Sequence, residues 1–395
     1  MVAASNHNLP IASLQAQALS QQLCQLIQQK IKNAGGWISF AEFMQMALYT
    51  PGLGYYAGGA QKFGKDGDFV TAPEISPLFA QTLSLQAAQI LAAGDANSTI
   101  SNILELGAGT GKLAVDLLLE LEYLNALPAQ YFILEVSAHL RQVQRETSQA
   151  RLPQHLYEKL VWLNELPKKF NGVVLGNEVL DAIPANIVHK TSDGWRERGV
   201  GFDDDFLWQD SALSTANLVE HLPVDLPIGY ITEVNPAACA LVRSLADMLL
   251  TGAILLVDYG FSAAEYYHPQ RNQGTLMCHY QQLAHDNPLT LVGLQDITAH
   301  VNFSQIASIL DMPCETTSMR VAGYVNQAQF LINCGILTIL QRHSPKDVAY
   351  IKLAAAAQKL MSPAEMGELF KVICLTKNIN EPLIGFAQGD KAHTL

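Results

Sequence analysis

The sequence predicts an α/β fold built on a doubly wound parallel sheet, and three observations predict it. An apolar run ending in Glu105-Leu106-Gly107-Ala108-Gly109-Thr110-Gly111 reads as a strand, a glycine turn and the start of a helix. A second run, Tyr131-Phe132-Ile133-Leu134, closes on another acid, Glu135. Further short apolar runs at 160–163, 172–176 and 253–258 alternate with helical patterns, the spacing of strands joined by crossover helices.

Taken in order, Leu19, Leu23, Leu26, Ile27 and Ile31 mark a first amphipathic helix. Ser39-Phe40-Ala41-Glu42 is a capping box that opens a second helix, and Thr50-Pro51-Gly52 stops it. An aromatic, glycine-rich loop follows, from Gly54-Tyr55-Tyr56 to Gly64-Lys65-Asp66-Gly67-Asp68-Phe69. Thr71 with Glu74 reads as a second capping box, and Pro77 suits the first turn of a helix over 77–93. After the glycine turn, Leu113, Val115, Leu117, Leu118 and Leu121 carry a helical pattern.

Beyond the fourth strand, residues 186–210 read as a hairpin around Asp193-Gly194, and 261–301 as a long insertion. A helix near 303–311 leads to a strand at 315–320, then a helical block over 325–366. Phe370-Lys371-Val372-Ile373-Cys374-Leu375 supplies the last strand, expected to return reversed to the same sheet. The expected organisation is an N-terminal helical cap with a covering loop (1–95), a sheet domain (96–321) with insertions at 186–210 and 261–301, a helical insertion (322–368), and the last strand with its tail (369–395).

A chain of 395 residues with 49% hydrophobic and 15% charged residues can bury a large core. Its net charge of -12 and lack of clustered Lys and Arg exclude a general nucleic-acid surface, while an acidic enzyme suits a cationic substrate. The cysteines, Cys24, Cys239, Cys278, Cys314, Cys334 and Cys374, lie far apart without a CxxC pair and read as reduced thiols, and no metal is expected. Residues 321–341 carry no charge, yet Asn326, Gln327, Gln329 and Asn333 make a poor lipid span, so the segment reads as a buried helix without membrane insertion. With no export or organelle address visible, the expected location is the cytoplasm of a bacterial-type cell.

Three cofactors compete for the glycine turn. A phosphate cradle of the Walker type fails, because Leu106 stands at its first glycine and Leu113 at its hydroxyl. The dinucleotide fingerprint wants a third glycine where the chain has Lys112, which weakens NAD. S-adenosyl-L-methionine (SAM) fits better, since it has no pyrophosphate and presents an amino acid, a sulfonium and a ribose. Gly107, Ala108, Gly109 and Gly111 would let the backbone approach the methionyl part, and Glu105 would face its ammonium. Glu135, followed by Val136, would accept from the ribose hydroxyls. The plain alternative makes both acids helix-entry residues of an ordinary α/β domain.

The fourth strand runs into Asn177-Glu178-Val179-Leu180-Asp181, where such a fold selects its methyl acceptor. A guanidinium acceptor is cationic and must approach a cationic sulfonium, so the carboxylates of Glu178 and Asp181, and Glu233 as a second candidate, would offset the repulsion. Asn177 would orient the nucleophile, and His300 would accept a proton or position the substrate. A helix cap or an exposed ion pair is the alternative for each acid.

Four ordered segments, Gly64 to Ser76, Leu104 to Gly111, Asn177 to Ala182 and Gln295 to Val301, resemble the MidA-like SAM-dependent methyltransferases over nearly the whole chain. The resemblance implies a Rossmann-like class I methyltransferase with SAM as cofactor. It also implies a protein arginine as acceptor, in the 49 kDa-type subunit of NADH dehydrogenase during complex I assembly. The family loop would close over SAM, which gives Asp68 to Glu74 a lid role and adds Asp68, Thr71 and Pro73 to the cofactor contacts. The chain departs from the family pattern at Met277 and Asn302, where an arginine and an aspartate are expected. The expected partner is thus a respiratory complex I subunit, with a second copy of the chain as a further candidate. A small-molecule methyltransferase and a non-catalytic assembly factor holding SAM as a structural ligand are the alternatives.

Overall fold

The computed structural model describes residues 9–58, 70–94, 100–311 and 319–395. Asp68 and Phe69 of the expected lid, most of the glycine-rich loop before it (59–67), and residues 315–318 of the strand expected at 315–320 lie outside the described residues. Contacts divide the chain into two units, one of residues 1–69, 181–240 and 263–300, the other of 70–180, 241–262 and 301–395.

The second unit holds the parallel sheet. Its strands are β1 (Asn102–Leu106), β2 (Gln130–Leu134), β3 (Leu160–Leu163), β4 (Phe170–Asn177), β5 (Leu249–Phe261), β6 (Met319–Asn326) and β7 (Phe370–Lys377). They lie in the order β3-β2-β1-β4-β5-β7-β6, with Val301–Asn302 pairing beside the end of β5. β1 to β5 run parallel, whereas β7 runs antiparallel to both β5 and β6, pairing Val372 with Val257 and with Val325. The reversed last strand is therefore where the sequence places it.

The apolar runs are continuous because helices cover both faces of a parallel sheet. β7 is buried along its whole length, including Lys371 and Lys377, and the helix Lys112–Tyr123 buries Leu113, Val115, Leu117, Leu118 and Leu121 in the same core. Truncating one of these leucines to alanine costs about 2–5 kcal/mol.

Two expectations in this unit need correction. Thr71 and Glu74 form no capping box, since Thr71 makes no side-chain cap bond and Glu74 instead accepts from the Thr110 hydroxyl. Ser76 caps the helix Pro77–Ala92 by accepting from Leu78 N–H. The segment read as one buried helix begins as β6, and Asn326 then caps the helix Gln327–Asn333. Val321, Tyr324 and Val325 favour the strand, and the Asn326 cap marks the switch to helix. Ile336–Leu340 and Val348–Met361 complete the helical block. Among the described residues no helix is long and apolar enough to cross a membrane.

In the first unit, the helix Phe40–Tyr49 opens on the complete Ser39–Glu42 capping box. Trp37–Ser39 pairs with Gly194–Asp203, which also pairs with Asn186–Thr191 and Asp205–Ser211. That pairing groups 186–210, expected as an insertion in the sheet domain, with the N-terminal residues, and most of 261–301 groups there too, through Cys278, Val292 and Ile297 in one core with Leu23, Ile27 and Phe43. Thr191 faces Gly194, so the hairpin turns on Ser192-Asp193, one residue earlier than the Asp193-Gly194 signal suggests. Met277–Tyr280, Leu283–His285 and Asp296–Thr298 form a separate three-stranded sheet. Its turn uses Gln281 and Gln282 at φ 47° and 66°, left-handed positions with no glycine to announce them.

Candidate active site

The glycine turn leaves β1 through three left-handed residues, Gly107, Gly109 and Gly111, at φ 58°, 52° and 83°. Gly107 N–H donates to Leu134 O of the neighbouring strand at 3.0 Å. A side chain at Gly111 would meet Gln144 Cα at 3.1 Å, so the glycine lets the helix Ala138–Arg151 lie close. At Gly109 it would meet nothing within 4 Å, which leaves the backbone open to a ligand.

Glu105 is only 2% exposed and accepts from Tyr131 Oη at 2.7 Å. Burial pushes its carboxyl up to about 7, the Tyr131 bond opposes the rise, and the charge of Glu135 adds to it. Among the described residues no Lys, Arg or His pairs with it. Glu135, just past β2, is buried too and is raised chiefly by that burial. Its carboxylate accepts from Ser137 N–H at 2.9 Å and from Gln144 Nε2 at 3.0 Å. Val136 beside it is 81% exposed, an apolar surface a flat ring could cover.

Gln144 is the residue the sequence reading misses. Its Nε2 also donates to Gly109 O at 3.1 Å, and its Oε1 accepts from Trp162 Nε1 at 3.0 Å, so one side chain ties the turn to Glu135 and β3. The signal is there, because Leu140, Gln144 and Ser148 share one helix face and two of the three are polar yet buried. Below the turn, Lys112 Nζ donates to Pro73 O at 2.7 Å and pairs with Asp116 at 2.6 Å, tethering the segment that carries Thr71 and Pro73. An acid with no counter-charge among the described residues, an open left-handed turn and a second acid with lone pairs to spare fit the ammonium, methionyl and ribose parts of SAM.

At the end of β4, Glu178 stands at φ 54°, a left-handed conformation that costs a side chain about 1–2 kcal/mol and marks a residue held in place. Its N–H donates to Val257 O at 2.8 Å. The next two N–H groups, of Val179 and Leu180, donate to Asp258 Oδ2 at 3.2 and 2.8 Å, so Asp258 on β5 sets this loop. Asn177 Nδ2 donates to Glu178 Oε1 at 3.0 Å, while Asn177 Oδ1 is buried without a hydrogen-bond partner. The pair thus presents a carboxylate and an unfilled acceptor together.

The remaining candidates fall in the first unit. Glu233 is a staple: its carboxylate accepts from Thr275 N–H at 2.9 Å, Thr275 Oγ1 at 2.9 Å and Leu276 N–H at 3.1 Å. Burial still raises its pKa. Thr275 joins it to His300, whose N–H donates to Thr275 Oγ1 and whose Nδ1 lies 3.1 Å from Thr275 O. Asp181 is buried, and its carbonyl accepts from Ala299 N–H at 3.0 Å. Burial and the nearby charges of Asp296 and Asp181 push the Tyr56 hydroxyl well above its ordinary range, and Tyr56 donates to Asp296 at 2.7 Å. Glu233 and His300 are thus brought into one network, and Asp181 into the surroundings of Tyr56.

A sheet of this strand order, with a glycine turn after β1 and acids at the ends of β1 and β2, defines a SAM-dependent methyltransferase. The comparisons agree. The profile of the S-adenosyl-L-methionine-dependent methyltransferase family matches residues 82–325. A crystal structure from Burkholderia thailandensis bound to S-adenosyl-homocysteine is 47% identical, with a TM-score of 0.93 over 98% of this chain and 100% of that one. The protein arginine methyltransferase NDUFAF7, mitochondrial, of Rattus norvegicus is 30% identical over 92% of this chain and 86% of its own length. Its Homo sapiens counterpart is 29% identical over 88% of this chain and 81% of its own. The chain belongs to the MidA-like SAM-dependent methyltransferases, and its cofactor is SAM.

Proposed function

We propose that the enzyme methylates an arginine side chain of a protein, and that this protein is a subunit of respiratory complex I. The observation that carries the reading is the Asn177–Glu178 pair at the end of β4, a carboxylate on a left-handed backbone beside a buried Oδ1 without a partner. A guanidinium supplies the N–H donors that Asn177 Oδ1 lacks, and its positive charge suits the Glu178 carboxylate beside it. The names of the curated relatives support the same acceptor.

SAM, when bound, supplies a methyl group on a sulfonium that leaves as a neutral thioether. Glu178 would hold the guanidinium plane and lower the cost of bringing a cation to that sulfonium. Asn177 Oδ1 would fix which nitrogen points forward. As the N–CH3 bond forms and the S–CH3 bond breaks, one guanidinium proton passes to a nearby base or to water, leaving methylarginine cationic. Asp258 would keep the loop in register through its two backbone bonds.

The test is incubation with isotopically labelled SAM and the complex I subunits, followed by peptide mass spectrometry. Label on one arginine is the expected result. Label confined to small metabolites, or tight SAM binding with no transfer, overturns the reading in favour of a small-molecule methyltransferase or an assembly factor respectively.

A further inference from the structure

Within the first unit, the helix Leu14–Asn33, the hairpin tip at 202–208 and the loop 286–292 enclose an open groove of about 890 Å³. Its floor is aromatic and anchored in the core: Phe206 meets Phe43 edge-on at 5.7 Å and Phe202 at 5.4 Å, and Trp208 lies 5.2 Å from Phe40. Phe202 and Trp208 nevertheless keep 38% and 37% of their surfaces exposed.

The groove's charge is of one sign. Asp204, Asp205 and Asp286 line it, and among the described residues no Lys or Arg does. At the hairpin tip Asp203 and Asp205 stand directly opposite each other, an arrangement of like charges that destabilises a strand pair. Among the described residues none of these four acids pairs with a cation. The contrast lies a few residues along the same strand, where Asp210 pairs with Arg198 at 2.7 Å and His189 at 2.6 Å. Cys24, in the groove wall, has its thiol raised by burial, and the Asp205 charge adds to the rise. Among the described residues, no ion pair offsets the negative charge these acids bring to the groove.

From this we infer that the groove docks a basic segment of a polypeptide partner, with guanidinium or ammonium groups on Asp204, Asp205 and Asp286 and their flat or aliphatic parts on Phe202 and Trp208. The inference rests on the proposed function in naming that partner as the protein acceptor, which would be held here by a stretch distinct from the arginine that is methylated.

The test measures binding apart from chemistry. A fluorescent peptide of alternating arginine and glycine is titrated with the full chain by anisotropy, beside the same peptide carrying citrulline in place of arginine. The expected result is binding of the arginine peptide alone, weakened by salt, and about tenfold weaker for the D204N/D205N double variant and for W208A, with SAM affinity unchanged. Equal binding by wild type and both variants, equal binding of the citrulline peptide, or self-association of the chain that W208A abolishes without any peptide binding overturns the inference. Methyl transfer is read separately on the complex I subunits. Peptide binding without arginine transfer sinks the proposed acceptor and leaves the groove standing, while transfer that D204N/D205N does not alter, with no peptide bound, sinks the groove alone.

Discussion

Tyr131 Oη donates to Glu105 Oε2 across 2.7 Å, from β2 to β1, beneath the glycine turn. That bond partly opposes the burial that pushes the Glu105 carboxyl up to about 7, so the Tyr131 hydroxyl helps keep in charged form an acid that pairs with no cation among the described residues. Tyr131→Phe is expected to raise the Glu105 pKa further and weaken S-adenosylhomocysteine binding about tenfold near neutral pH. Calorimetric titration across the neutral range should show the midpoint of the affinity curve moving to higher pH. An unmoved midpoint removes Glu105 from the ammonium site.

The same carboxyl makes the cofactor-free protein sensitive to pH. Its folded pKa, about 7, lies above the 4.5 of the free side chain, so the folded state binds the extra proton between those values. Stability from this group is full below the lower value and is lost as pH rises through the upper one, on the order of 3 kcal/mol in all. Urea unfolding of wild type and Glu105→Gln at acid and mildly alkaline pH isolates the effect, since the difference between the two proteins should grow with pH in favour of the glutamine. Cofactor binding should also release a proton near neutrality, visible as a buffer-dependent heat.

Gly111→Ala places a side chain in a left-handed position at φ 83° and against Gln144 Cα at 3.1 Å. The cost is about 1–3 kcal/mol, and it falls on the helix whose Gln144 holds both Gly109 O and Glu135. Lower thermal stability together with weaker cofactor binding is expected. Gly109→Ala, with open space around it, separates backbone strain from the helix contact.

Glu233→Gln tests the other network. Three N–H and O–H groups from Thr275 and Leu276 converge on that carboxylate, and an amide nitrogen cannot accept from any of them. A loss of about 1–3 kcal/mol is expected, with the His300 backbone released from Thr275. Thr275→Val should reproduce it, and a histidine NMR signal for His300 that stays put in both variants would falsify the link.

The parallel sheet and its cofactor end were legible because both rest on local signals, namely apolar runs, glycines at left-handed turns and acids at strand ends. What was not legible depends on partners far along the chain. Glu74 leaves its expected cap because the Thr110 hydroxyl reaches it, and no feature of residues 71–74 announces that. β6 hides behind Ala322 and Gly323 in the middle of its run, and the Gln281-Gln282 turn lacks the usual glycine. Gln144 and Asp258 act by fixing other groups, and the reach of a side chain across two elements has no periodicity to read.

Glu178→Gln keeps the size of the side chain and its backbone conformation, so β4, the Val257 bond and the glycine turn should be unaffected. What changes is charge, because an amide can accept through one oxygen but cannot offset a guanidinium approaching a sulfonium. Cofactor affinity should therefore stay within about twofold of wild type, while the rate of methyl transfer falls by about a hundredfold or more. Asp258→Asn makes the complementary case. It weakens the two backbone bonds that hold Val179 and Leu180, so it should lower transfer through misplacement of Glu178 and also loosen the loop in hydrogen exchange. A Glu178→Gln protein that loses cofactor and turnover in equal measure would move the carboxylate out of acceptor binding and into the cofactor site.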